Sequence, residues 1–419
     1  MQASERPVAV IGAGAIGIIS ALELVRRGHP VTVIEPGQAG GEQAASYGNA
    51  GWLSCQSIIP PSTPGMWKKV PGYLLDPLGP LAIRWGYLPK VAPWLLRYLL
   101  GGCTLERVRT TAGALAPLQR DSLALHAALA AEAGVPHLIA AGGVVQAYPD
   151  RAAFEAEQAL WQIRADCGIR WQDLDGDAVQ ATLPGFPARY RCVAVIEQAG
   201  RCRNPGAYVA ALADLARRRG VAFVQARAQD FTFEGDRLTA VITDHGPVPC
   251  RAAVVAAGAW SGPLTARLHD RMPLESERGY HVMLPGMPLE LPASFMMSDG
   301  KAVVQAMEHG LRIAGQVEIG SPDAPPDWRR ADILKTHLGR LFPALDLSAA
   351  RVWQGSRPAM PDGRPCLGRS RRSPDVIYAF GHGHIGLGSS ARTGRVVAAL
   401  VGGQAAEIPL ERFDPQRFR

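Results

Sequence analysis

The chain has 419 residues, 47% of them hydrophobic and 19% charged, and a mean hydropathy of +0.01; it is long for one domain, comfortable for two, and composed as a soluble or peripherally bound protein rather than an integral membrane one. Its net charge of +7 comes almost wholly from scattered arginines, a poor footprint for nucleic acid, although a basic surface favours anionic membranes or acidic substrates. The 7 cysteines are widely spaced with no C-x-x-C pair, which argues against a disulfide framework and a metal site and for a reducing, cytoplasmic setting.

Residues 8–35, VAVIGAGAIGIISALELVRRGHPVTVIE, read as strand, tight turn, helix and second strand. Gly12 lets the chain turn out of the strand, Gly14 lets backbone amides approach a pyrophosphate, and Gly17 lets the helix pack close to the sheet. The helix start then offers free N–H groups and a positive dipole end to phosphate. Glu35, ending the second strand, suits the two hydroxyls of an adenosine ribose and would repel a phosphate there, so the reading is FAD or NAD rather than NADP. A signal peptide is the alternative, but Glu23, Arg26, Arg27 and His29 interrupt the run and no basic start precedes it.

Residues 44–54, AASYGNAGWLS, suit either a loop lying on a cofactor or an ordinary surface turn. Residues 60–102 are dense in proline, which forbids one long helix. They interleave Trp67, Tyr73, Trp85, Tyr87, Trp94 and Tyr98 with Lys68, Lys69, Arg84, Lys90 and Arg97. No apolar piece is long enough to span a bilayer, but the composition fits an interfacial contact with a membrane. The other reading is a flap folded over the domain or onto a second subunit.

The leucine spacing from Leu105 to Ala133 predicts one long amphipathic helix ending near Gly134 and Pro136. Further on we expect a strand in 142–148, a helix over 152–167, strands in 191–200, and a helix over 203–219 with Asn204 as cap and Pro205 at its first position. VAFVQARAQDFTFEG and DRLTAVITD follow as two strands turning at 234–236. AAVVAAGAWS (252–261) then reads as a buried strand returning beside the cofactor phosphates at Gly258. The fold class is therefore α/β, with a discontinuous Rossmann-like nucleotide-binding domain (1–60, parts of 140–270, and 350–419). A second, mixed β-sheet domain with helices takes parts of 61–200 and 271–349.

The glycine-rich start with Glu35, the segment SYGNAGWLS, the strand VVAAGAWS, the stretch GSRPAMPDGRPCLG (355–368) and the close GHGHIGLGSSARTGR (381–395) occur in one order. In that order they resemble the FAD-dependent amine oxidoreductases of the D-amino acid oxidase superfamily, and within it most of all the bacterial D-amino acid dehydrogenases. The resemblance spans nearly the whole chain and implies an extended FAD with a substrate domain above the flavin. It places Ala15, Ile16 and Pro36 with Gly12, Gly14, Gly17 and Glu35 along the dinucleotide. Ser46, Asn49, Ala50 and Gly51 are expected along the flavin and pyrophosphate, and Ala228 against the adenine. Gly383, His384, Ile385, Gly386, Leu387 and Gly388 are expected at the pyrimidine edge, where a helix start would stabilise negative charge on the reduced flavin. No covalent-attachment signature is present, so noncovalent FAD is expected.

By the same resemblance Arg357 grips the substrate carboxylate through its two parallel donors, the alternative being a structural pair with Asp362. Tyr280 and His281, in SERGYHVML, are candidates for binding the amine or shaping the pocket, with a core-strand reading beside it. His382 and His384 read better as packing histidines than as acid/base groups. Orientation supplies most of the rate in flavin amine oxidation. The expected activity is oxidative deamination of a D-amino acid, or of a cyclic or N-substituted one. The rivals are a glycine- or sarcosine-type oxidase using oxygen, a 2-hydroxy acid dehydrogenase, and a non-catalytic flavin subunit of a complex. A quinone or other acceptor and a peripheral place on the inner face of the cytoplasmic membrane, through residues 60–102, complete the expectation.

Overall fold

The computed structural model describes residues 6–286 and 291–418. A six-stranded sheet has the order Ala222–Val224, Val31–Ile34, Val8–Ile11, Ala252–Val255, Val376–Phe380 and Cys366–Arg369. The first five strands run parallel and the last antiparallel. Val8–Ile11, Val31–Ile34, Ala252–Val255 and Val376–Phe380 are buried at every position, as strands covered on both faces must be. Helices Ala15–Arg26 and Gly386–Val401 cover one face and touch where Gly394 leaves room, since a Cβ there would fall 2.8 Å from Ile19 Cγ2. A three-stranded meander of Ala228–Glu234, Arg237–Thr243 and Gly246–Pro249 shares a core with the opposite face.

A nine-stranded mixed sheet forms the second layer. Its order is Arg351–Ala359, Glu275–Pro285, Gly310–Ile319, Ala302–Met307, Ser294–Met297, Val144–Tyr148, Cys192–Ile196 and Trp171–Asp175, with Leu81–Ile83 paired to the far end of Gly310–Ile319. One face carries an apolar core beneath helix Arg329–Leu341. The other faces the six-stranded unit and floors the site.

Several expectations need adjustment. The helix expected over Leu105–Ala133 is two, Leu105–Gln119 and Ser122–Ala133. Pro117 lies in the first, the chain turns at Asp121 (φ 59°), and Ser122 Oγ bonds the Gly388 carbonyl at 2.8 Å, so a tertiary anchor sets the break. The segment 152–167 likewise divides into Arg151–Glu155 and Gln158–Asp166. VAFVQARAQDFTFEG gives Ala222–Val224 to the parallel sheet and Ala228–Glu234 to the meander. Strand Arg351–Ala359 pairs with Glu275–Pro285, so a boundary at 350 cuts off a strand of the substrate sheet. Within 60–102 lie helices Met66–Leu75 and Leu88–Gly101 and strand Leu81–Ile83, and both helices contain a proline. All 7 cysteines are free.

Candidate active site

A single elongated cavity of about 1420 Å³ runs from the glycine-rich turn to the floor of the nine-stranded sheet. Ordinary small-molecule pockets hold roughly 300–1,000 Å³, so this one has room for an extended dinucleotide and a substrate together. At its nucleotide end, Gly12 has φ +108° and a Cβ there would fall 2.5 Å from the Ala256 carbonyl oxygen. At Gly17 a Cβ would fall 1.9 Å from the Gly12 carbonyl oxygen, which is the close helix–strand approach expected of it. Gly14 is different: the nearest atom to a Cβ would be Ser46 Oγ at 3.5 Å, so the space above it is open cavity.

Ser46 Oγ accepts from the Ala15 N–H at 3.3 Å, and the N-cap residue of helix Ala15–Arg26, Gly14, has no side chain to take the N–H groups that follow. The Glu35 carboxylate accepts from Ala13 N–H at 2.8 Å and Gly37 N–H at 3.0 Å, keeping a lone pair on each oxygen for hydroxyl donors. Pro36, Ala228 and Gly258 line the same end. A ribose-binding acid, a helix start with a glycine at its N-cap and an open glycine cradle together fit the adenosine diphosphate of FAD.

Along the middle of the cavity lie Ile16, Asn49 and Ala50. Gly51 turns away with φ +82°, where a Cβ would fall 2.2 Å from the Cys202 carbonyl oxygen. Neither Gly17 nor Gly51 reaches the cavity wall; their part is to shape the backbone that does. Arg312, nearly buried, staples this loop to the sheet by donating to the Tyr47 and Asn49 carbonyls at 3.2 and 2.8 Å. Opposite, Gly383 to Gly388 all face the cavity as a short turn opening helix Gly386–Val401, which has no side-chain cap. Its free N–H groups make this wall favourable to negative charge. His382 bonds Thr393 Oγ1 at 3.1 Å, and burial pushes its pKa down to about 3.

Arg357 enters from the floor. Its Nη1 donates to the Gln316 carbonyl at 3.0 Å and its Nη2 to the Gly315 carbonyl at 3.4 Å. Successive carbonyls of a regular strand point opposite ways, and both can serve one guanidinium here because Gln316 has φ 59° beside a bulge. Asp362, the alternative partner, is taken by Arg364 at 2.9 Å and Arg417 at 2.8 Å. The guanidinium lies directly over Gly279, where a Cβ would fall 2.2 Å from Cζ. Glu277, across the strand pair from Arg357, is buried and accepts from or pairs with His384 Nε2 at 2.7 Å. Burial pushes its carboxyl up, but the His384 bond and the charges of His384 and Arg357 outweigh that and hold it low.

Tyr280 and His281 are outside the cavity wall. Tyr280 points into the core on the opposite face of the sheet, where its hydroxyl bonds Glu318 and accepts from Asp327 N–H at 3.0 Å. His281 shares the site face but stacks on Trp353 at 5.0 Å and bonds the Gly48 carbonyl at 3.3 Å. Burial and the Arg312 charge push its pKa down to about 3, so it stays neutral. It supports Gly48, which does line the cavity. The geometry therefore corrects both residues from substrate contacts to supporting positions, because strand alternation puts Gly279 rather than Tyr280 beneath the substrate space.

The substrate end is closed by residues the sequence did not single out. Trp52, Gln56, Gln146, Met296 and Val303 line it, with Arg164, Glu157 and Lys301 beyond them. The segment 60–102 folds over this end, presenting Met66, Lys69, Tyr73 and Tyr98 to the cavity. Its outer side exposes Trp67 (62%), Leu75 (82%) and Trp85 (70%). Among the described residues no helix is long and apolar enough to cross a membrane, and no cluster of His, Cys, Asp and Glu is placed to hold a metal.

Comparison with known proteins agrees with this geometry. The family described as FAD dependent oxidoreductase (DAO) matches residues 7–400. A protein named D-amino-acid oxidase from Bradyrhizobium diazoefficiens is 55% identical over 417 residues, covering 99% of each chain. A D-amino acid dehydrogenase from Rhizorhabdus wittichii is 32% identical, over 96% of this chain and 97% of its own. The crystal structure of glycine oxidase from Geobacillus kaustophilus superposes with a TM-score of 0.77 at 22% identity, over 98% of both chains.

Proposed function

Because the chain belongs to the DAO family of FAD-dependent oxidoreductases, we propose that it oxidises the amine-bearing carbon of a D-amino acid to an imine, which water converts to the 2-oxo acid and ammonia. A cyclic or N-substituted amino acid would give the corresponding imine. The observation that carries this reading is Arg357: a guanidinium with no carboxylate side chain bonded to it among the described residues, fixed by two backbone carbonyls on the wall of the cavity that Gly383–Gly388 also lines. The bound FAD supplies the hydride acceptor.

The protein's own contribution is placement. Arg357 fixes both the position and the rotation of the substrate carboxylate, so that the Cα–H is presented to one side of the cavity. Glu277 and His384 hold the wall beside it, and the helix start at Gly386 offers N–H groups where charge accumulates. A dye-reduction screen of the purified chain against D- and L-amino acids, imino acids and 2-hydroxy acids tests the proposal. Turnover confined to hydroxy acids would overturn it, and no turnover with any of them would favour a non-catalytic flavin subunit.

For the acceptor, we propose a membrane quinone reached from the leaflet surface. Trp67, Leu75 and Trp85 stand exposed on the segment whose inner side closes the cavity, and Lys68 and Lys90 accompany them. That combination suits attachment to an anionic leaflet. Oxygen is the second reading, favoured by the name of the Bradyrhizobium relative. Dye and quinone reduction should exceed peroxide formation, and the protein should sediment with anionic liposomes at low salt. Stoichiometric peroxide at the dye-reduction rate, without liposome binding, would select the oxidase and leave the segment a flap.

A further inference from the structure

Of the arginines that line the cavity besides Arg357, one stands at the substrate end, and nothing in the amine-oxidation reading uses it. Arg164, on helix Gln158–Asp166, is 8% exposed, and its guanidinium lies over the Trp161 ring at 4.5 Å. Its Nε and Nη1 are buried without a hydrogen-bond partner, and the side chain lines the cavity. None of the ion pairs among the described residues includes it. An isolated buried cation is unfavourable by several kcal/mol, and burial accordingly depresses its pKa, with Tyr148 and Glu157 opposing. Glu157, the carboxylate whose charge acts on it, is engaged elsewhere: it accepts from Tyr148 O–H at 2.9 Å and pairs with Lys301 at 3.5 Å. Lys69 and Lys301 line the same chamber, so its charged wall is three cations against one carboxylate.

Resting on the reading above, we infer that Arg164 receives a second anionic group of the substrate, and that the amino acids this site takes best are dicarboxylic. The sheet shows how the two arginines face one space. Gln146, Met296, Val303 and Ala314 are direct neighbours across successive strands, each lines the cavity, and the next residue, Gly315, holds Arg357. Arg164 lies beside Tyr148, two positions along the strand from Gln146. The Arg357 guanidinium lies over Gly279, one strand beyond Ala314, so four strand spacings, about 19 Å, separate the strands beneath the two arginines before the reach of the Arg164 side chain is counted; an acid of glutamate length or longer suits that span better than one of aspartate length. The FAD phosphates do not provide the counter-charge, since their cradle at Gly14 and Ala15 belongs to the six-stranded unit and not to this face.

The test compares D-glutamate with D-glutamine, which has the same shape without the charge, in the FAD-loaded wild type and in Arg164→Met and Arg164→Lys. Binding of glutarate and of valerate is followed in parallel by perturbation of flavin absorbance. Wild type should prefer D-glutamate in kcat/KM by about tenfold or more, the scale of one charge-assisted contact. Arg164→Met keeps the stacking on Trp161 and should abolish the preference while changing D-glutamine turnover less than about threefold; Arg164→Lys should restore part of it. Glutarate should outcompete valerate in wild type alone. An unchanged preference in Arg164→Met, equal use of both substrates by wild type, or loss of FAD from the variants would each overturn the inference. Should Arg164→Met not fold, the glutarate-to-valerate ratio of wild type decides. Turnover of neutral amino acids without acid preference overturns this inference alone, whereas absence of any amino acid turnover overturns the parent reading with it.

Discussion

Gly279 is what allows Arg357 to lie flat across the floor: the guanidinium occupies the place a side chain at 279 would take, with Cζ, Nη1 and Nη2 all 2.2 Å from a Cβ. Arg357→Lys keeps the charge but not the fork, so misaligned substrate should raise KM and lower kcat together, for a combined loss of about 10- to 100-fold in kcat/KM. Gly279→Ala should give a similar kinetic loss with full flavin content, because it displaces the guanidinium without touching the nucleotide end. Unchanged kinetics in Arg357→Lys would count decisively against the carboxylate role. The sequence showed Arg357 through its motif, but not Gly279. Alternation along SERGYHVML says that residues 279 and 281 share a face, yet which face meets the cavity depends on pairing with strands 310–319 and 351–359 and on the bulge beside Gly279. Tyr280 drew attention by its chemistry, while the residue that touches the site has no side chain.

At the scale of elements, the two helix starts that meet in the cavity were legible because their signal is local. A glycine at positive φ, an N-cap residue without a capping side chain and a β-branched strand before them are all written within about a dozen residues, the range over which such patterns act. Gly14→Val should give folded, colourless protein, since its side chain would fill the open cradle above helix Ala15–Arg26. Absorbance at 450 nm after refolding with excess FAD reads this out, and retained yellow colour would refute the cradle; acid precipitation of wild type should release all its flavin if attachment is noncovalent. The break between Leu105–Gln119 and Ser122–Ala133 was not legible, because its cause is the contact of Ser122 with Gly388 far along the chain. For 60–102 the composition left a membrane-facing surface and a flap over the domain both open, and only the fold shows which side chains, Met66, Lys69, Tyr73 and Tyr98, line the cavity while others stay exposed.

At the scale of the whole molecule, discontinuity of the nucleotide unit was legible from the strand at 252–255, but its joints were not, since long-range pairing alone assigns Arg351–Ala359 to the other sheet. Buried histidines bond across packed segments of this structure. His126 bonds Tyr208 at 2.8 Å, His281 bonds the loop at Gly48, and His382 bonds Thr393. Burial is the leading cause in each case, and it takes their pKa values from an ordinary 6.5 to about 4, 3 and 3. Because the folded values lie below the unfolded ones, the unfolded chain takes up protons that the folded chain refuses. This contribution to stability is complete above pH 6.5, declines as pH falls below it, and stops declining below about 3. Each histidine contributes a slope of about 1.4 kcal/mol per pH unit, and three together about 4 kcal/mol per unit, against a total of roughly 5–15 kcal/mol for a typical domain. Glu277 and Asp362, held low by cationic partners that outweigh their burial, extend the loss in the same direction at lower pH. Thermal unfolding at constant ionic strength and saturating FAD should therefore show a midpoint that drops steeply between pH 6 and 4.5, with about three protons taken up on unfolding at pH 5. His126→Gln should reduce that uptake by about one proton. A midpoint that stays level from pH 6.5 to 5 would mean that these histidines are not held neutral, and that the contacts they make are open to water.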